Sequence, residues 1–129
     1  MTGTPARGVL YVHSSPKALC PHVEWAAGSA LDRAVNFNWD IQPVLKGAMR
    51  AEYYWEGTQG TGARLASALR GWEHLRFEVT EDPTPGSDGG RWLHTPDLGI
   101  FYAQTDTVGN VVIPEDRIRY AIEIAGSDA

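Results

Sequence analysis

Stretches that repeat every second residue and stretches with helical spacing follow one another here in an order that few folds accept. Val35, Phe37, Trp39 and Ile41 alternate with Asn36, Asn38 and Asp40, the pattern of a strand with one buried face. Ala48–Glu56 sets Met49, Ala51, Tyr53 and Trp55 against Arg50, Glu52, Tyr54 and Glu56. His74–Glu81 sets Leu75, Phe77 and Val79 against His74, Arg76, Glu78 and Thr80. Between the last two strands, Leu65, Ala68, Leu69 and Trp72 of Ala63–Trp72 fall on one helical face,.

Ahead of these lies Gly8–Ser14, a strand with Leu10 and Val12 on one side and Val9, Tyr11 and His13 on the other,. Ser14-Ser15-Pro16 reads as an exposed corner. A helix from Pro21 to about Asp32 follows, with proline in the first turn and Val23, Ala26, Ala27, Ala30 and Leu31 at helical spacing,. The order β-α-β-β-α-β predicts an α+β fold: a ferredoxin-like βαββαβ core over residues 7–81, with an antiparallel sheet covered by both helices on one face. Its other face would carry Tyr11 and His13, Asn36, Asn38 and Asp40, Arg50, Glu52 and Tyr54, and His74, Arg76 and Glu78.

Residues 82–90 (DPTPGSDGG) read as a flexible loop,. Residues 91–126 read as strands at Arg91–His94, Leu98–Gln104 and Val111–Ile113, then a helix behind Pro114 with Ile118, Ala121, Ile122 and Ala125 as its stripe. This C-terminal β-hairpin and helix would extend the sheet edge or cover part of the open face. The 129 residues make one domain,. Its core draws on an unusual supply of tryptophan, at positions 25, 39, 55, 72 and 92,.

A net charge of −5 with dispersed Arg and Lys argues against a nucleic-acid partner, whose affinity would rest on neutralising phosphates,. No apolar run approaches the ~20 residues of a membrane span. The single cysteine can form neither an internal disulfide nor a cysteine cage for zinc,. A cytoplasmic protein without cofactor is expected.

Cys20-Pro21-His22 is the sharpest chemical cluster. A helix N-terminus favours thiolate, but residues two apart do not share a helix face, so Cys20 reads better as a small buried hydrophobe, with His22 toward solvent. The histidines, His13, His22, His74 and His94, show no metal-ligand spacing,. Only His13 and His74 are expected on one sheet face, and no metal site is assigned. Gly57–Gly62 precedes a helix, so its amides with Arg64 could hold an anion, and a capped turn explains it equally well. Tyr11 and Tyr54 sit where RNA-binding sheets of this topology put stacking aromatics, yet Asp40, Glu52 and Glu78 would repel phosphates. No catalytic constellation is present. The candidate ligand- or partner-binding residues are therefore Tyr11, His13, Ser14, Ser15, Cys20, His22, Arg50, Tyr54, Arg64, His74 and Arg76.

The blocks RGVLYVHSSPKALCPHVEWA, QPVLKGAMRAEYYWEG, GTGARLASALRGWEHLRFEVTEDP, TPDLGIFYA and IPEDRIR resemble the actinobacterial family known as domain of unknown function 3145. The resemblance carries no catalytic residues. It implies an accessory role near fatty-acid synthesis, with a protein partner such as a fatty-acid synthesis or acyl-CoA carboxylase component. Two other functions compete with this one. The first is a regulatory domain that binds an anionic small molecule such as an acyl-CoA at Ser14–Ser15 and Gly57–Gly62. The second is an enzyme that depends on Cys20.

Overall fold

The computed structural model describes residues 3–105 and 111–112. Strand β1 (Pro5–Pro16) leads through a 3-10 turn (Lys17–Leu19) into helix α1 (Cys20–Leu31). Then follow β2 (Asp40–Ile41), β3 (Ala48–Thr58), α2 (Thr61–Leu69), β4 (Arg76–Glu81), β5 (Gly89–Thr95), β6 (Gly99–Thr105) and β7 (Val111–Val112). All neighbouring strands are antiparallel, in the order β2-β3-β1-β4-β5-β6-β7. This is a mixed α+β fold, with β1 flanked on both sides.

The alternation explains which face is buried. Leu10 and Val12 of β1, Ala51 and Trp55 of β3, and Phe77 and Val79 of β4 form one core with Val23, Ala26, Ala27 and Leu31 of α1 and Leu65, Ala66 and Leu69 of α2. Both helices therefore pack on the same side of the sheet. Small residues on α1 let it approach closely, and Trp55 supplies the bulk beneath. Helix α1 ends where Asp32 turns left-handed at φ 58, a conformation that stops a helix.

Several boundaries differ from expectation for identifiable reasons. The Ser14-Ser15-Pro16 break is not a corner. β1 runs on to Pro16, and Ser14 and Ser15 are buried at a register slip after Val12. The strand expected over Val35–Ile41 is reduced to Asp40–Ile41. Val35 and Phe37 do alternate inward, but the Phe37 amide (2.8 Å) and the Trp39 indole (3.0 Å) donate to the Glu24 carboxylate of α1. The segment is thereby tied to the helix side chain at Phe37 and Trp39 rather than paired in a ladder there. His74 is in a turn before β4, so it does not share the sheet face with His13.

The segment 82–90 is a closed hairpin connection: Thr84 and Ser87 exchange two backbone hydrogen bonds of 2.9 Å, and Gly89 already belongs to β5. The β5–β6 hairpin extends the sheet beyond β4 rather than lying over its face. Residues 106–110 and the helix expected behind Pro114 lie outside the described residues. Among the described residues no helix is long and apolar enough to cross a membrane.

Candidate functional site

Cross-strand register places Glu52, Tyr11, Glu78 and Leu93 in one row across the face opposite the helices. Tyr11 and His13 follow each other on that face of β1 with rings 5.9 Å apart and inclined by only 3°. Glu78 sits beside them on β4. One carboxylate oxygen is 3.4 Å from His13 Nε2 and the other 3.0 Å from Arg91 Nε. Glu78 is thus shared between His13 and Arg91 and does not act as a free base.

A hollow of 610 Å³ opens on this network toward β2, lined by Tyr11, His13, Asn38, Asp40, Arg50 and Glu52 among others. A second hollow of 380 Å³ adjoins it around His13, Ser14 and Arg76. Gln42 separates the two and holds the β2–β3 connection down. Its Nε2 donates to the His13 carbonyl at 2.6 Å, and its Oε1 accepts from the Val44 amide at 3.2 Å. The Tyr11 hydroxyl titrates above its ordinary range because of burial first, then the neighbouring charges of Glu52, Tyr54 and Glu78, against Arg91. At neutral pH it is a neutral donor.

The face thus gathers Tyr11, His13, Ser14, Arg50 and Arg76 out of the expected set. Tyr54, 73% exposed, is on the same face, its hydroxyl 3.5 Å from a Glu52 carboxylate oxygen, and it lines a further hollow with Arg7 and Glu56. Ser15 and Cys20 are buried together: the thiol lies 3.9 Å from Ser15 Oγ and 3.7 Å from the Pro16 carbonyl. His22 is exposed on α1, and His74 in its turn. Among the described residues no group of histidine, cysteine and carboxylate side chains could hold a metal ion.

Gly57–Gly62 is already occupied from within. The Glu81 carboxylate accepts from the Gly60 amide at 3.1 Å and from the Gly62 amide at 2.9 Å. It fills the place an external anion would take at the start of α2. Arg64 donates instead to Thr61 Oγ1 at 2.8 Å. Glu24, Gln42, Glu81 and Arg91 are the polar residues that sequence reasoning missed. Only Glu81 left a signal, a carboxylate continuing the inward phase of Phe77 and Val79.

Cys20 does not gain acidity from the start of α1. Burial, the largest influence, pushes its thiol above its ordinary range, the Ser15 hydrogen bond acting against it. Alkylation of the native protein at pH 8 is therefore expected to run about tenfold or more below that of the urea-unfolded chain. Equal rates would show an accessible thiolate. The sign for stability follows. With folded pKa values of Cys20 and Tyr11 raised, their contribution is complete below the ordinary thiol range and is lost as pH rises through the folded values,. The melting temperature should fall on the alkaline side for this reason.

A family model described as "Protein of unknown function (DUF3145)" matches residues 9–129. No curated protein and no solved structure matches the chain.

Proposed function

We propose, from the premise that the chain belongs to this family, that it is a non-enzymatic interaction subunit that docks a protein partner on the β2–β3 corner and the adjoining sheet face. One observation carries the reading. Ile41 at the end of β2, and Val44 and Leu45 on the connection that follows, stand 74%, 89% and 49% exposed. Apolar side chains clustered in this way contribute little to the chain's own core, and such patches mark contact surfaces.

Arg50 and Arg76 flank this corner, and neither forms an ion pair among the described residues. An apolar centre with a charged rim is the usual anatomy of a protein interface, and this rim suits a partner with acidic groups around an apolar socket. The family resemblance makes a component of fatty-acid synthesis or of an acyl-CoA carboxylase complex the first partner to test. A ferredoxin-like core belongs to the same reading. The antiparallel order β4-β1-β3-β2, with helices after β1 and β3, supports it,.

Affinity capture at near-native expression tests the proposal, with the double variant Val44→Asp, Leu45→Asp as the control bait. The expected result is a partner retained by the native chain and lost from the variant. Recovery of the bait alone, or of the same partner with both baits, ends the reading.

A further inference from the structure

We propose that the hollow beside the β1 register slip binds a carboxylate that carries a short aliphatic group next to its charge. Binding there needs no protein partner. Between Val12 and Ser14 the register of β1 against β4 shifts, so that Ser14 comes opposite Arg76. Bulges of this kind interrupt a ladder and re-aim a side chain.

Ser14 is only 4% exposed, and its Oγ has no hydrogen-bond partner among the described residues. Its neighbour Ser15, equally buried, donates to the Pro16 carbonyl. A buried hydroxyl left without a partner is a standing loss for a fold, and Ser14 is one of the residues that line a hollow of 380 Å³, with His13, Gln42, Val44, Leu45 and Arg76. Arg76 forms no ion pair among the described residues, while Glu78 next to it is engaged by Arg91 and His13.

The hollow therefore has one unpaired positive charge in its lining and an uncommitted hydroxyl buried behind it. A carboxylate matches both: a guanidinium grips it in a planar fork, and a serine hydroxyl can donate to a remaining lone pair. A phosphate dianion would add a second negative charge, and Arg76 is the one arginine or lysine in the lining of this hollow. Val44 and Leu45 form the apolar wall, held in position because Gln42 ties their connection to His13. The volume lies near the lower end for small-ligand clefts, roughly 300–1,000 Å³, which suits a short chain. The same chemistry occurs in a free short-chain acid and in the last residue of a peptide that ends in an aliphatic side chain.

NMR titration of the full chain with hexanoate, N-acetyl-leucine, inorganic phosphate and hexanol tests the assignment and separates the two sources. Saturable shifts at Ser14, Arg76 and the methyl groups of Val44 and Leu45 are expected with the acids. Tighter binding of hexanoate identifies the free acid, and tighter binding of N-acetyl-leucine identifies the peptide end. Arg76→Gln is expected to weaken binding about tenfold. Ser14→Ala is expected to weaken it severalfold while raising the melting temperature of the free protein, because it removes the unpartnered hydroxyl. The proposal is overturned by an absence of saturable shifts with both acids, or by saturation with phosphate or hexanol at lower concentration. Unchanged hexanoate binding by both variants also overturns it.

Discussion

Glu81→Ala is expected to destabilise the protein by about 3 kcal/mol, because it strips a charged acceptor from backbone donors that no other group serves. The geometry behind this is specific. Helix α2 begins at Gly60, whose φ of 92 only glycine adopts readily, with no capping side chain of its own,. The acceptor comes from β4, where Glu81 is 9% exposed and spans the amides of Gly60 and Gly62 with its two oxygens. A carboxylate there also meets the positive end of the helix. The loss should lower the melting temperature by about 10 °C for a domain of this size. Glu81→Gln keeps one acceptor oxygen and should lose about half as much. The alanine variant also vacates an anion site, so formate should restore part of its melting temperature while chloride at equal ionic strength does not. A variant that melts with the native protein would show that the Gly60 and Gly62 amides are served by other acceptors.

This contact also shows how far the sequence could be read. The order of strands and helices was legible because each element has one face in the core, and burial writes its period directly into the side chains. Phe77 and Val79 of β4, or Leu65 and Leu69 of α2, carry that period plainly. The polar contacts had no such period. Gly57–Gly62 was recognisable as an amide-rich start to a helix, but nothing local says whether its anion comes from outside or from 19 residues further along the chain. The strand expected at Val35–Ile41 failed for the same reason. Its alternation was real and is buried at Val35 and Phe37 but not at Ile41, which is exposed, while the Phe37 amide was claimed by Glu24, 13 residues earlier. At the site, Tyr11, His13, Arg50 and Arg76 followed from alternation alone. Ser14 was placed in an exposed corner because Ser-Ser-Pro is turn chemistry in isolation. Paired on both sides, β1 absorbed the irregularity as a slip in register instead.

The sheet's centre makes the remaining strong prediction. Trp55 is 1% exposed, and its indole lies over Gly8 of β1 to donate to the Thr80 carbonyl on β4 at 3.2 Å. Gly8 is what lets the ring cross. A Cβ built there would overlap the Thr80 carbonyl oxygen and stand 2.8 Å from Trp55 Cζ2. Trp55→Ala is expected to cost about 3–5 kcal/mol through lost burial and the cavity left behind. Trp55→Phe, which keeps most of the apolar contact and loses the indole donor, should cost about 1–2 kcal/mol. Gly8→Ala should cost about 3 kcal/mol, near the upper range of overpacking, because one of the groups in the way is backbone. The two sites share one space, so their effects should not add. In Gly8→Ala, Trp55→Ala the ring is already gone, and the new methyl still meets the Thr80 carbonyl but no longer the indole. Urea unfolding of the native chain, both single variants and the double variant should give a coupling of about 1 kcal/mol or more, with the double variant more stable than the sum. Simple additivity would mean that the ring does not fill the space over Gly8, and that the close packing of β3 across β1 has another origin.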